Sequence, residues 1–452
     1  MDLRKLILED VRCFGGRQEF DIRPITFLVG ENSTGKSTAL GCFQIIHDFI
    51  FSNEIGLNFN VEPYSMGSFT DIVRRSRPGK THFRIGVGFQ SESSQSDLEY
   101  MLVLSAKNRG SEPTIQEQNV RMSKGEVTFI ERSAGDGVDG MQSEYLKGFE
   151  ITDPPSKEGF QKTTVVSGRY HLDKTVLDLL LPINRYRHLT AKWRPESMHV
   201  LVNLGEKPPG PFGGDWNKLF GKDHLLPSEA YSFAPIRTNP LRTYDPLRED
   251  MDPAGSDIPM VIRNMFITER DRWEKLKGNL VAFGKSSGLF SDVNVRVLGN
   301  SSGDPFQIQI KVNGPKVNMK DVGHGVSQIL PILVRILDSP RNMVFLMQQP
   351  EVHLHPKAQS ELSSILVEAV KQKKHRFVIE THSDHLVNRA RIEIMKGTID
   401  PQDVSLIYLE PVGNRVSVHN IQFDKLANLL NVPQGYRDFF IDESDKLLGL
   451  SK

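Results

Sequence analysis

Cysteine is nearly missing from this chain: Cys13 and Cys42 are the only two among 452 residues. Two scattered thiols exclude a disulfide framework and a cysteine-built zinc cluster, and they suit a reducing, cytoplasmic setting. Long apolar runs are missing as well. No stretch approaches the roughly 20 apolar residues of a membrane helix. The opening Met1-Asp2-Leu3-Arg4-Lys5 begins an amphipathic, strand-like pattern rather than a signal peptide. Charge imbalance is the third absence, since Lys plus Arg and Asp plus Glu number 56 each. Bulk charge therefore argues neither for nor against nucleic acid, and leaves a local basic patch open. Length alone suggests about two to three domains, and no internal repeat is found.

What is present stands near the start. Phe27-Leu28-Val29-Gly30-Glu31-Asn32-Ser33-Thr34-Gly35-Lys36-Ser37-Thr38 reads as an apolar strand, a glycine-bounded loop and the first turn of a helix. Gly30 to Ser37 matches G-x-x-x-x-G-K-[ST] at every fixed position. Gly30 and Gly35 let the backbone wrap a polyphosphate, so that N–H groups across Glu31, Asn32, Ser33 and Thr34 point inward as an anion nest. Lys36 is expected on the β and γ phosphates and the Ser37 hydroxyl on Mg²⁺, with Thr38 in the helix start whose positive end faces the anion. The cofactors predicted are ATP and Mg²⁺.

Residues 3–29 alternate between apolar and polar and predict a small sheet feeding this loop. Helical spacing follows over 38–51, then strands over 82–105 and 115–130. Residues 155–260 change character, with clustered Pro, Gly and aromatics and weak periodicity. They predict a mostly helical insertion with a helix near Asp173–Leu181. Helical spacing returns at 260–285, strands at 293–298 and 306–313, and 321–410 alternates helices and apolar strands as a parallel α/β sheet does. The expected division is an N-terminal lobe at 1–150, the insertion at 155–260, a C-terminal lobe at 261–410, and a tail at 411–452 for partner or self association.

Four later stretches carry further chemistry. Val322-Gly323-His324-Gly325-Val326-Ser327-Gln328-Ile329-Leu330-Pro331 is a Gly-rich turn opening a helix, which is either a capped helix start or a second donor set for phosphate. Met343-Val344-Phe345-Leu346-Met347-Gln348-Gln349-Pro350-Glu351 is a buried strand ending in polar residues, where nucleotide crevices lie. Val352-His353-Leu354-His355-Pro356 follows at once. Phe377-Val378-Ile379-Glu380-Thr381-His382-Ser383-Asp384-His385 is another strand running into a His-bearing turn.

In this order the stretches resemble the ABC-type ATPase superfamily, in the branch of RecF, the SMC proteins and the OLD-family ATPases. The resemblance spans about 1–105 and 290–410. It implies an α/β P-loop head with a β-rich N-terminal lobe and a parallel-sheet C-terminal lobe. Gly30–Ser37 is then the Walker A loop. Gly323–Gln328 resembles the signature motif, whose Gly325, Ser327 and Gln328 would cap the γ phosphate held by a second head in an ATP-sandwiched homodimer. Strand 344–347 resembles Walker B, His353–Pro356 the D-loop, and His382 the switch histidine. Val11-Arg12-Cys13-Phe14 resembles the strand of RecF and SMC heads from which an arginine approaches nucleotide.

One departure stands out. The two adjacent Walker B positions that hold acids in an active site hold Gln348 and Gln349 here. An amide can orient water or sit near Mg²⁺, but it carries no charge and cannot act as a general base. Gln348 is the expected metal neighbour and Gln349 occupies the base position, while Glu351 and Glu380 are the carboxylates that would substitute. Within the superfamily, Phe233-Ala234-Pro235-Ile236-Arg237-Thr238-Asn239-Pro240, Gln348–Pro356 and Pro433–Phe440 resemble compact phage-defence ATPases. The resemblance extends to the ATPase subunits of Septu-type systems, which implies a separate HNH nuclease as partner. The segment after 410 carries no acidic triad of a Toprim nuclease. The competing expectation is a RecF-like ATPase that hydrolyses ATP on DNA.

Other patterns compete for attention. Asn184–Arg194 interleaves cations with Tyr and Trp, either a nucleic-acid grip or a solvated face of the insertion. Lys371–Arg376 reads as a helix end or a DNA-facing rim. His353, His355, His382 and His385 lack accompanying cysteines and the H-E-x-x-H spacing, so motif geometry explains them better than zinc. Ser383 beside His382 lacks a nucleophile elbow.

Overall fold

The structure, a computed structural model, describes residues 2–51, 57–74, 81–90, 97–106, 108, 110–122, 125–130, 148–152, 163–167, 230–246, 251–301 and 303–436. They fall into two units. One comprises Met1–Ile22, Asn32–Ala230 and Pro411–Val418, and the other Arg23–Glu31, Tyr231–Glu410 and His419–Lys452. The helix expected near Asp173–Leu181 and the patch at Asn184–Arg194 lie outside the described residues.

In the first unit the alternating pattern becomes an antiparallel sheet. Its strands are β1 (Asp2–Val11), β2 (Phe14–Asp21), β6 (Phe83–Gln90), β7 (Asp97–Ser105), β8 (Thr114–Met122), β9 (Gly125–Ile130), β10 (Gly148–Thr152) and β11 (Thr163–Ser167). Among the described residues they run in the order β11-β10-β9-β8-β7-β6-β1-β2. A small hairpin, β4 (Asn60–Val61) with β5 (Tyr64–Ser65), and a one-turn helix, α2 (Phe69–Ile72), complete the described part. Helix α1 (Lys36–Phe51) is buried on nearly every side, with Leu40, Phe43, Ile46 and Phe49 in the core. It is a core helix rather than an amphipathic surface one.

The second unit is organised by parallel pairing. β3 (Ile25–Gly30) lies between β17 (Arg376–Glu380) and β18 (Val404–Val412), and β16 (Val344–Gln348) lies beyond β17, each pair parallel. The full order is β12-β16-β17-β3-β18-β19-β20, with β12 (Ala230–Phe233), β19 (Arg415–Phe423) and β20 (Leu429–Leu430) at the flanks. A three-stranded antiparallel sheet adds β13 (Asp292–Val297), β14 (Phe306–Lys311) and β15 (Lys316–Asn318). The helices are α3 (Ile258–Thr268), α4 (Arg270–Ser287), α5 (His324–Asp338), α6 (Pro356–Lys373) and α7 (Asp384–Met395). One continuous core runs from Ile25 and Phe27 through Phe233, Trp273, Leu333, Phe345 and Phe377. Strands buried on both faces read as unbroken apolar runs, as Val344–Met347 does, and β3 departs from this only at the buried Thr26.

Two expectations shift. The strand run 3–29 does not form one sheet: β1 and β2 belong to the antiparallel sheet, while β3 joins the parallel one. Of the expected insertion, residues 230–233 join the parallel sheet as β12 beside β16, and residues 258–260 already begin α3. Among the described residues no helix is long and apolar enough to cross a membrane.

Candidate nucleotide site

In the second unit the parallel register brings three strand ends level. Gln348 lies opposite Glu380, Glu380 opposite Leu28, and β3 ends two residues on at Gly30. Parallel strands carry their polar ends to one edge of the sheet, where ligands bind in α/β folds. Gln348 and Glu380 are both buried there. Gln349 then leaves the strand in left-handed backbone, φ 43°, with its N–H donating to the Glu380 carbonyl at 2.8 Å. His353 is also left-handed, φ 69°. Left-handed non-glycine residues cost about 1 kcal/mol or more each and concentrate at functional turns.

Between them the turn buries Glu351. Its Oε1 accepts the His382 N–H at 2.8 Å, while Oε2 has no protein donor. Burial pushes this carboxyl above its ordinary value, against hydrogen bonds and the Arg237 charge. His382 itself is exposed. Arg237, on the loop after β12, is only 2% exposed, and none of its guanidinium nitrogens meets a hydrogen-bond partner. Burial lowers it to about 10, opposed by the charge of Glu351. Sequence reading had Arg237 only inside a family-like phrase. Its neighbours Ile236, Thr238 and Asn239 give no sign of burial.

The start of α5 packs on the same turn. A Cβ at Gly325 would come within 2.8 Å of the His353 carbonyl oxygen, so a side chain there displaces backbone. The rings of His324 and His353 lie 5.7 Å apart. Gly323 and His324 are exposed, whereas Ser327 and Gln328 are buried. Ser327 Oγ donates to the His324 carbonyl at 3.0 Å. The Gln328 amide engages the Arg237 backbone both ways, accepting its N–H at 3.3 Å and donating to its carbonyl at 3.4 Å. In the single chain, then, Ser327 and Gln328 turn inward, and Gly323 and His324 face outward.

The phosphate loop begins at Gly30 and Glu31 of the second unit, and from Asn32 it runs into α1 of the first. Glu31, Asn32, Ser33 and Ser37 are exposed; Thr34, Lys36 and Thr38 are buried. Gly30, Ser33 and Gly35 all have positive φ, at 145°, 64° and 88°. Alternation of that kind turns successive N–H groups toward one concave side. Gly35 is sterically obligatory: a Cβ there would meet Cys13 Sγ at 2.5 Å and Phe14 Cζ at 2.8 Å. The Cys13 carbonyl is in turn fixed by Arg74 Nη1 at 2.7 Å and the Val416 N–H at 3.1 Å. Arg12 donates to Thr38 Oγ1 at 3.2 Å, the Met66 carbonyl at 2.8 Å and the Asp71 carbonyl at 3.1 Å. It reaches the first turn of α1 as a brace.

The remaining candidates resolve locally. His355 and Ser383 are N-caps, accepting from Ala358 N–H and Leu386 N–H, and Ser383 also donates to Gln359. Lys373 caps the carbonyls of Leu337 and Ser339 at 2.7 Å each, and Lys374 ends α6 in left-handed backbone. Among the described residues no group of three or more His, Cys, Asp or Glu is placed to hold a metal.

A family described as "AAA ATPase domain" matches residues 265–387, and one described as "AAA domain, putative AbiEii toxin, Type IV TA system" matches 25–124. No curated protein matches. Among solved structures, an SMC head bound to the C-terminal winged-helix domain of ScpA is 12% identical, covering 94% of this chain and 99% of that one, TM-score 0.43. The SMC head domain of Thermotoga maritima is 11% identical, covering 92% and 98%, TM-score 0.39. An SMC head with an extended coiled coil bound to ScpA from Pyrococcus furiosus is 10% identical, covering 99% and 98%, TM-score 0.41. The phosphate loop, the parallel sheet and the two matched segments together support a nucleotide-binding P-loop ATPase.

Proposed function

We propose that the chain is an ATP-binding head that dimerises around nucleotide and regulates or scaffolds a separate nuclease, of HNH type, in a bacterial phage-defence complex related to Septu. Hydrolysis by this head is slow or absent. The observation that carries the reading is the contrast between an intact phosphate loop, Gly30 to Ser37, and a Walker B strand that ends in two neutral amides, Gln348 and Gln349. The donor set suits ATP: a concave, positive-φ loop followed by a 16-residue helix and its first-turn lysine. It suits Mg²⁺ less well, since the Ser37 hydroxyl and the Gln348 amide oxygen are neutral ligands for an ion that favours carboxylates. A base worth about 10² to 10⁴ in rate is missing at Gln349.

The family matched at 25–124, described as a putative AbiEii toxin of a type IV toxin–antitoxin system, supports a place among toxin–antitoxin ATPases. The homodimer follows from the signature-like start of α5, where Gly323, His324 and Gly325 would meet the partner's nucleotide. A second reading, a RecF- or SMC-like ATPase that hydrolyses ATP on DNA, is favoured by one observation. Glu351 is a buried carboxylate two residues past the amides and hydrogen-bonded to the His382 backbone.

Phosphate release with Mg²⁺-ATP, with and without DNA, separates the readings. The proposal expects ATP binding that Lys36→Ala abolishes, with negligible turnover that Gln349→Glu raises. DNA-stimulated turnover by the unaltered chain would replace it with the second reading.

A further inference from the structure

A nest of N–H groups grips an anion best when the groups converge before the anion arrives. The second half of the phosphate loop is backed by the turn between β1 and β2. Cys13 Sγ lies 3.7 Å from the Thr34 carbonyl oxygen, and Gly35 packs so closely on Cys13 and Phe14 that no Cβ fits. Phe14 is wholly buried and meets Phe20 edge to face at 5.4 Å. The turn is itself strained, with Asp10 and Arg12 both left-handed at φ 59° and 45°. Strain of that kind persists only where the surroundings over-determine the backbone.

Arg74 supplies those surroundings. It is buried, and its fork joins two segments far apart in the chain. Nη1 donates to the Cys13 carbonyl at 2.7 Å, and Nη2 donates at 2.8 Å to the carbonyl of Asn414, in the turn between β18 and β19. Its own N–H donates to the Asp10 carbonyl at 2.9 Å. The Val416 N–H gives the Cys13 carbonyl a second donor at 3.1 Å. A Cβ on Gly15 would lie 3.0 Å from Arg74 Cζ, so the turn packs directly on the guanidinium. A planar guanidinium with several fixed donors suits this double attachment as no other side chain does.

We infer that Arg74 is a positioning residue for nucleotide binding: it fixes the Cys13–Phe14 shelf on which Thr34 and Gly35 rest, and so holds the phosphate loop in its binding shape. The inference rests on the nucleotide-binding reading and adds to it a residue outside every motif of the sequence. Arg74 acts through Cys13 rather than on phosphate.

Mg²⁺-ATP affinity and hydrogen exchange on the full-length protein test it together. Arg74→Met should raise the Kd about tenfold or more, since a displaced loop loses its convergent donors. It should also speed exchange at the Ala39 amide, which donates to the Gly35 carbonyl at 2.9 Å, while β7 exchanges as before. Leu102→Ala, at a fully buried position in β7, is the control. It destabilises the same unit but should bind ATP as the unaltered protein does, at a temperature where both stay folded. A merely structural arginine would behave as Leu102 does. Binding by Arg74→Met within about twofold of the unaltered protein overturns the inference, whatever its exchange. Equal losses of affinity in Arg74→Met and Leu102→Ala overturn it as well. Should Arg74→Met not fold, Arg74→Lys is read instead. Its single nitrogen replaces a two-armed fork, so affinity should still fall several-fold, and unaltered affinity there is equally fatal. If the unaltered protein does not bind ATP, the nucleotide reading fails, and Ala39 exchange alone decides whether Arg74 holds the loop.

Discussion

The phosphate loop and the turn after β16 use the same backbone device for different ends. Each puts non-glycine residues into left-handed conformation, Ser33 in the loop and Gln349 and His353 in the turn. In the loop the device turns N–H groups toward one concave side, and most of the side chains ahead of the helix are exposed. In the turn it folds a carboxylate inward, so that Glu351 is spent on the His382 backbone. Binding needs donors and a cation, and the loop keeps them all. Hydrolysis needs a mobile negative charge near water, and the turn offers two amides and a buried acid. The difference teaches that one backbone device can serve phosphate binding in one segment and carboxylate burial in another.

The contrast can be broken or sharpened in order of effect. Lys36→Ala should weaken Mg²⁺-ATP binding at least about 100-fold, roughly 3 kcal/mol of charge-assisted phosphate contact. Gln349→Glu should leave affinity within a few-fold. Fluorescence titration of a labelled ATP analogue checks both, and equal losses would erase the distinction between the halves. Gly35→Ala combines a left-handed position with a clash on Cys13 and Phe14, and should destabilise by about 3 kcal/mol by denaturant titration.

Acid should weaken the second unit through His375. Its buried ring accepts the Met343 N–H at Nδ1 and pairs with Ser339 at Nε2, and burial pushes it down to about 4. The unfolded chain binds the proton first, so this stabilisation is whole above about pH 6.5 and is lost as pH falls toward 4. The loss is on the order of 2 to 3 kcal/mol. Hydrogen exchange in β16 and β17 at pH 7 and pH 5 reads it, and a His375→Gln variant should flatten the dependence. Smallest, Gly325→Ala clashes with a backbone carbonyl but without left-handed strain, and should cost about 1 to 2 kcal/mol. If Gly325→Ala proved costlier than Gly35→Ala, the turn rather than the loop would be the more tightly constrained half.

Much of this was legible in the sequence because it is local. A phosphate loop is eight consecutive residues, and Val344–Met347 and Phe377–Ile379 announce buried strands by unbroken apolarity. What escaped is long-range. Nothing in Ile25–Gly30 says that it pairs with strands more than 300 residues later rather than with its neighbours β1 and β2. Ala230–Phe233 is four residues in a Pro- and Gly-rich surrounding, too short for its period to register. The Gln328–Arg237 clamp spans 91 positions. Ser327 and Gln328 lie buried for a related reason. The apolar face of α5 continues through them, and helical period alone does not say which polar residue at a helix start faces out.

The central claim is that this head binds ATP and does not turn it over appreciably. Steady-state phosphate release by the natural protein, at ATP concentrations shown by titration to saturate it, is the direct measurement, with Lys36→Ala as the blank and Gln349→Glu beside it. The account predicts release indistinguishable from the Lys36→Ala blank and a clear gain in Gln349→Glu. Release well above the blank, with no gain from the added carboxylate, would contradict it and assign the chemistry to Glu351 or Glu380.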